Sequence, residues 1–128
     1  MRELGSAQPT AVELEILRIL WELGPSPVRA VHEKLAAAKG TNYSTTVKML
    51  SVMLTKGLVK RKEEAKPHIW RATITRERAG RKFLSELVDK VYDGSAMSLV
   101  LQALSSGKAE QHEIDEARRL LDEMEDKS

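Results

Sequence analysis

Residues 42–61, NYSTTVKMLSVMLTKGLVKR, give the clearest indication of the fold. Small polar residues open it, an apolar helical pattern follows, and a glycine separates that helix from a basic, strand-like segment. The predicted core-facing side of the helix holds Tyr43, Val47, Leu50 and Leu54. The opposite side holds Thr45, Lys48, Met49, Val52 and Lys56. A helix that only faces solvent does not need this combination of apolar, hydroxyl and basic side chains on its outer side. We therefore expect this helix to lie against another molecule.

Two helices are predicted before this one. Thr10 and Glu13 have the spacing of a capping box, which predicts a helix that ends at the next Gly-Pro pair. The second helix is predicted to begin with Ser26 as its cap and Pro27 at its first position. It is predicted to end at Gly40. Only about three residues then separate it from the third helix, which is the geometry of a helix-turn-helix.

A β-hairpin is predicted directly after the third helix. Residues 58–62 and 68–74 have the alternation of two short strands, and residues 63–67 read as the turn between them. Both arms are basic. Three helices followed by such a hairpin predict a winged helix-turn-helix.

The rest of the chain is predicted to be helical, over residues 76–93, 97–104 and 110–126. These segments carry more apolar surface than so small a unit can bury, and a symmetric dimer is the simplest remedy. Folding of these helices back onto the first domain stays open as the alternative. The residues predicted to form the dimer contact are Phe83, Leu87, Val91, Leu99, Leu101, Leu104, Ile114, Leu121 and Met124.

The predicted fold class is therefore mostly α with a small β-hairpin. A winged-helix DNA-binding domain is predicted at residues 1–75 and a helical dimerisation domain at residues 76–128.

Charge is distributed unevenly along the chain. Residues 42–82 hold eleven basic and three acidic side chains, whereas residues 83–128 hold five basic and eleven acidic ones. This pattern favours a middle segment that meets a polyanion and a tail that does not. Two solvated faces of opposite charge are the alternative.

Composition excludes several classes of protein. The chain has no cysteine, which excludes a disulfide framework, a thiolate metal site and a cysteine nucleophile. Its first residues lack an apolar signal core, and no apolar run approaches the ~20 residues that cross a bilayer. We therefore expect a cytoplasmic protein without direct membrane association.

Catalytic motifs are also missing from the sequence. His32, His68 and His112 lie far apart, without a phosphate-loop or nucleophile motif beside them. No enzymatic activity and no cofactor are predicted. A metal site of histidines and carboxylates stays open, although the acidic residues around His112 read as a solvated helix face.

The third helix fits the major groove of duplex DNA, where side chains near its N-terminus reach base edges. The residues predicted to read bases are Ser44, Thr45, Thr46, Lys48, Met49 and Val52. The residues predicted to contact phosphates are Tyr43, Lys56, Lys60, Arg61, Lys62, Lys66, His68 and Arg71. Packing of Met49 and Val52 on the wing or on a neighbouring helix stays open. Trp70 is read as core and His32 as a partly buried structural residue.

Four stretches carry a family resemblance: ELEILRILWELGPSPVRAVHEKL, NYSTTVKML, KGLVKRKEEAKPHIWRA and GSAMSLVLQALSS. Together they resemble the penicillinase-repressor, or BlaI/MecI/CopY, family of bacterial transcriptional repressors, from about residue 11 to residue 124. The resemblance implies a winged-helix domain, a dimerisation domain and binding to palindromic operators. It places the recognition helix on Ser44, Thr45, Thr46 and Lys48. It places the wing on 58–73 and the dimer helices on 76–126.

Two departures from the family pattern bear on regulation. Copper-responsive members bind metal through C-terminal cysteines, which this chain lacks, so copper sensing by that route is not expected. β-Lactam-responsive members are cut at an Asn-Phe bond, and the matching positions here are Gln102 and Ala103. The resemblance allows a membrane sensor protease as a partner, but this substitution speaks against such cleavage and against a β-lactam signal.

The sequence thus predicts a homodimeric repressor whose partners are an operator in double-stranded DNA and a second copy of itself. Two rival hypotheses remain. One is a ligand-sensing regulator with an effector pocket between the two domains. The other is a winged-helix protein-interaction module with no role on DNA, because a fold does not by itself determine a function.

Overall fold

A computed structural model describes residues 9–127. Within that range the helices are α1 (Ala11–Leu23), α2 (Val28–Lys39), α3 (Tyr43–Lys56), α4 (Arg76–Val91), α5 (Ala96–Ser105) and α6 (Gln111–Lys127). The strands are β1 (Ser26–Pro27), β2 (Val59–Lys62) and β3 (Ile69–Ala72). The chain divides after Gly80 into two compact units. The predicted fold class, mostly helical with a small antiparallel sheet, is confirmed.

The capping box at the start of α1 is confirmed. The Thr10 hydroxyl accepts from the Glu13 backbone N–H at 3.2 Å, and the Glu13 carboxylate accepts from the Thr10 N–H at 3.0 Å. The helix ends at Leu23, and the next residue, Gly24, has a φ of 81°, which favours glycine there. Since this helix is central, its apolar residues Ile16, Leu17, Ile19 and Leu20 are all buried.

The predicted serine cap of the second helix is wrong. Ser26 is buried and extended, and it pairs with Trp70 of β3, while Pro27 pairs with Ile69. The Ser26 hydroxyl donates to the Gly24 carbonyl at 2.8 Å and not to α2, which begins at Val28 without a side-chain cap. The hairpin therefore becomes a three-stranded sheet in the order β1-β3-β2.

The core-facing side of α3 differs from the prediction. Leu50 is fully buried as expected, but Val47 and Tyr43 are 37% and 39% exposed. Thr46 and Met53 are fully buried. The helix is thus turned by about one residue, and the spacing 46, 50 and 53 is that of one helical face. This face closes a core formed with α1, α2, β2 and β3.

The second unit has a different character from the first. No residue of α5 or α6 is buried. Large apolar side chains are exposed along all three of its helices: Leu84, Leu87, Val91, Met97, Val100, Leu101, Leu104, Leu120, Leu121 and Met124. No helix within residues 9–127 is both long enough and apolar enough to span a bilayer.

Candidate nucleic-acid interface

The start of α3 is held by Asn42. Its side-chain oxygen accepts from the Thr45 backbone N–H at 2.9 Å and from the Ser44 hydroxyl at 3.0 Å. This cap fixes the first turn of the helix. Beyond it, the exposed side of α3 carries Ser44, Thr45, Lys48 and Val52. Val52 is 42% exposed. All four side chains are exposed, and the Ser44 hydroxyl already donates to Asn42.

Thr46 is the clear error among the predicted base-reading residues. Its side chain has no exposed surface, and its hydroxyl lies 3.0 Å from His32 Nδ1 and 3.4 Å from the Asn42 carbonyl oxygen. A buried hydroxyl with such contacts serves the fold and cannot reach a base. Met49 is half-buried and packs against the core, which is the alternative that the sequence left open.

Tyr43 connects α3 to the start of α2. Its ring lies edge-on to the His32 ring with centroids 5.2 Å apart, and the Arg29 guanidinium carbon lies 5.2 Å from its centroid. Arg29 forms no ion pair with any of the described residues. Sequence reasoning missed Arg29, because its proximity to Tyr43 exists only once α2 and α3 pack. His32 is half-buried, as expected of a structural residue.

The pairing of β2 with β3 determines on which face of the wing each basic residue lies. Lys60 pairs with Arg71 and Arg61 pairs with Trp70. Because neighbours along a strand alternate faces, Lys60, Lys62 and Arg71 share the outer face. All three are exposed, as is Lys66 in the turn, while His68 is half-buried. The wing thus presents four exposed cations.

Arg61 lies on the inner face and is not a free cation. Its side chain is only 27% exposed, its guanidinium carbon lies 5.3 Å from the Trp70 ring centroid, and it pairs with Glu63 at 2.9 Å. The hydrogen bond and charge of Arg61 hold the pKa of Glu63 below its ordinary value. Trp70 is buried, so its assignment to the core is confirmed. The predicted phosphate contact by Arg61 would therefore compete with its pair to Glu63.

The position of Lys56 also contradicts its predicted role as a phosphate contact. Its Nζ donates to both carboxylate oxygens of Glu13, at 2.8 and 3.0 Å. The side chains are 30% exposed for Lys56 and 5% for Glu13. Burial raises the pKa of Glu13, but the hydrogen bonds from Lys56 and Thr10 outweigh it and leave that pKa below its ordinary value. An ammonium held in this way is not available to a phosphate.

In the second unit, the predicted dimer residues lie on three helices. Most of them are exposed, while Phe83, Leu99 and Ile114 are half-buried. Gln102 and Ala103 are exposed within α5, and the Gln102 side-chain oxygen accepts from the Tyr92 hydroxyl at 2.8 Å. Among residues 9–127, no cluster of three or more His, Asp or Glu could hold a metal ion.

The first unit also contains a cavity of about 680 Å³. Side chains of α1 and of residues 75–77 line it, including Trp21, Arg18 and three glutamates. The Trp21 indole N–H donates to the Ile74 carbonyl at 2.9 Å beside it. Polar and aromatic groups therefore meet at this cavity.

Comparison with known proteins gives matches along both units. A family model described as penicillinase repressor matches residues 9–123. Similar curated proteins are the methicillin resistance regulatory proteins MecI of Staphylococcus aureus (strain N315) and Staphylococcus epidermidis. Each is 24% identical over 112 residues, which cover 88% of this chain and 91% of the relative. Among solved structures, a MarR family transcriptional regulator from Silicibacter pomeroyi DSS aligns with a TM-score of 0.47 and 21% identity, over 94% of this chain and 71% of that one.

Proposed function

The chain belongs to the penicillinase repressor family, a family of transcriptional repressors, and from this premise we propose that two copies bind a palindromic operator as a homodimer. The observation that carries the proposal is the exposed row of Ser44, Thr45, Lys48 and Val52 on α3, in the same compact unit as the cationic outer face of the wing.

Each member of that row has a role in base reading. The hydroxyls of Ser44 and Thr45 bond bases or phosphates, and Lys48 reaches a guanine edge or a phosphate. Val52 offers apolar surface to a thymine methyl group. The exposed wing cations Lys60, Lys62, Lys66 and Arg71 contact phosphates and orient the helix without reading sequence.

The second unit supplies the dimer contact. On α6, Ile114, Ala117, Leu121 and Met124 follow heptad spacing, and the last two are among the exposed large side chains of this unit. A second copy would cover these apolar groups and remove them from water. The resulting pair would present its two α3 helices to half-sites about 34–36 Å apart, or a multiple of that distance.

Repression follows from occupancy of the operator. A bound dimer blocks polymerase from the adjacent promoter. Because the two halves bind as a linked pair, each raises the effective concentration of the other at its half-site. Separation of the dimer would therefore release the DNA even if each half kept its own contacts.

The test is a titration of the full chain against a labelled duplex from its own promoter region and a shuffled duplex of the same composition. We expect preference for the promoter and a steep loss of affinity with salt. Eight wing contacts per dimer correspond to a slope of about −7 in log affinity against log salt. Lys48→Ala should lower the preference, whereas Lys108→Ala, an exposed lysine of the second unit, should not. Equal binding of both duplexes at every salt concentration would refute the proposal.

A ligand-sensing regulator is the second candidate function, and the cavity beside Trp21 is the observation that favours it. A ligand held there should raise the thermal unfolding midpoint and change operator affinity together. A compound that stabilises the protein without changing operator affinity would be inert as an effector and would speak against this candidate.

A further inference from the structure

Lys56 occupies the junction between the two parts of the proposed DNA-binding surface. It is the last residue of α3, and β2 of the wing begins at Val59. Gly57, with a φ of 82°, turns the chain between them. The orientation of the wing relative to α3 therefore depends on how this junction is held.

Besides backbone hydrogen bonds such as that from the Leu58 N–H to the Met53 carbonyl, two side-chain contacts hold the junction from different sides. The Thr73 hydroxyl donates to the Gly57 carbonyl at 2.6 Å, which connects the junction to the residue after β3. Lys56 reaches in the other direction, to Glu13 in the first turn of α1, 43 residues away in sequence. Since α1 is the central helix of this unit, that contact anchors the junction to the core.

The Glu13 carboxylate has few other hydrogen-bond donors within reach. It is nearly fully buried, and the Thr10 N–H and Lys56 Nζ are the donors that it meets. A buried carboxylate that loses its cation carries a large desolvation penalty. The Glu13 side chain therefore keeps Lys56, and with it the end of α3, in one place.

We propose that Glu13 and Lys56 are positioning residues that hold α3 and the wing in the relative orientation needed to engage one DNA site together. This inference rests on the proposed function, and it replaces the direct phosphate contact predicted for Lys56. Neither residue touches DNA; both act through the placement of Lys48 on α3 and of the outer wing cations.

The positioning role and a direct phosphate contact make opposite predictions. If Lys56 were a phosphate contact restrained by Glu13, Glu13→Gln would free it and strengthen DNA binding. If the pair positions the junction, Glu13→Gln and Lys56→Met should each weaken operator binding, by about tenfold for a coupled pair of this kind. The double variant should then be no weaker than the weaker single variant, because both remove the same contact.

The experiment measures affinity of the full chain for its promoter duplex and for a shuffled duplex, across a salt series. We expect Glu13→Gln and Lys56→Met to reduce the preference for the promoter to a similar extent, because both release the same junction. Lys62→Met is the matched control, since loss of an exposed wing contact to phosphate should weaken binding to both duplexes and lower the slope by about 0.9 per contact. Lys56→Arg, which keeps the charge, should restore most of the affinity.

Folding is checked by fluorescence of Trp21 and Trp70, both in the first unit. If Glu13→Gln fails to fold, Lys56→Met and Lys56→Arg test the same contact from its other side and leave the capping box at Thr10 intact. Operator binding by Glu13→Gln that equals or exceeds that of the wild type would overturn the inference. A wild-type protein without promoter preference would overturn the proposed function instead, so the two failures are distinguishable.

Discussion

Thr45 and Thr46 are adjacent in α3, but the Thr45 side chain is exposed and the Thr46 side chain is buried, so mutagenesis can separate their proposed roles. The sequence placed both in the base-reading surface. Thr46 is fully buried, and its hydroxyl contacts His32 Nδ1 at 3.0 Å and the Asn42 carbonyl at 3.4 Å. Thr45 is exposed, and only its backbone N–H is used, by the Asn42 cap. Replacement of each by valine removes one hydroxyl and keeps the side-chain shape.

The magnitude for Thr46→Val follows from those contacts. The hydroxyl makes one hydrogen bond of ordinary length and one long one, and a typical net contribution is about 0.5–1.5 kcal/mol each. Loss of a partner for the half-buried His32 adds part of a further desolvation cost of about 1–3 kcal/mol. We expect the free energy of unfolding to fall by about 1–3 kcal/mol. For a unit of this size, each kcal/mol lowers the thermal midpoint by about 4–8 °C.

Thr45→Val should have the opposite profile. An exposed substitution away from special contacts changes stability by no more than about 0.5 kcal/mol. Loss of a hydroxyl that bonds a base should weaken promoter binding while leaving binding to the shuffled duplex nearly unchanged.

The assay is urea unfolding followed by the fluorescence of the two tryptophans, together with promoter titrations at a temperature where all variants are folded. Thr46→Val should lower the unfolding midpoint at unchanged promoter affinity, and Thr45→Val should do the reverse. If Thr46→Val weakened promoter binding without a change in stability, the burial of its side chain would be refuted.

Three further predictions follow from the described contacts. Leu121→Glu places a charge in the exposed apolar row of α6 and should shift the protein from dimer to monomer in light scattering over a concentration series; an unchanged mass would refute the dimer contact. Arg29→Ala should weaken binding to promoter and shuffled duplex alike and lower the salt slope by about 0.9 per contact, and a slope equal to that of Lys108→Ala would exclude Arg29 from the interface. The pKa of folded Glu13 lies below its ordinary value of 4.5, so its pair stabilises the fold above that pH and loses this contribution as pH falls through the folded pKa. The stability gap between wild type and Glu13→Gln should therefore narrow between pH 5 and pH 3 in urea titrations, and a gap that widens would contradict the pair.

Local signals in the sequence predicted the parts of the fold that depend on residues within about four positions of each other. Thr10 and Glu13 predicted the start of α1, and Gly57 predicted the end of α3. Alternation across residues 58–74 predicted the wing hairpin. The exposure of Lys48 and Val52 also followed from helical spacing, since residues four positions apart lie on the same side of a helix.

The winged-helix architecture was predictable from the amino-acid sequence, as were the exposed side of α3 and the apolar surplus of the second unit. Only the tertiary structure decided that Thr46 is buried while Val47 is exposed, because a rotation of one residue depends on how α3 meets α1 and α2. It also decided that Lys56 binds Glu13 and that Arg61 lies over Trp70. These partners are distant in sequence or are brought together by strand register. A lysine or arginine that the sequence alone suggests to be unpaired therefore becomes paired when packing places a carboxylate or an aromatic ring beside it.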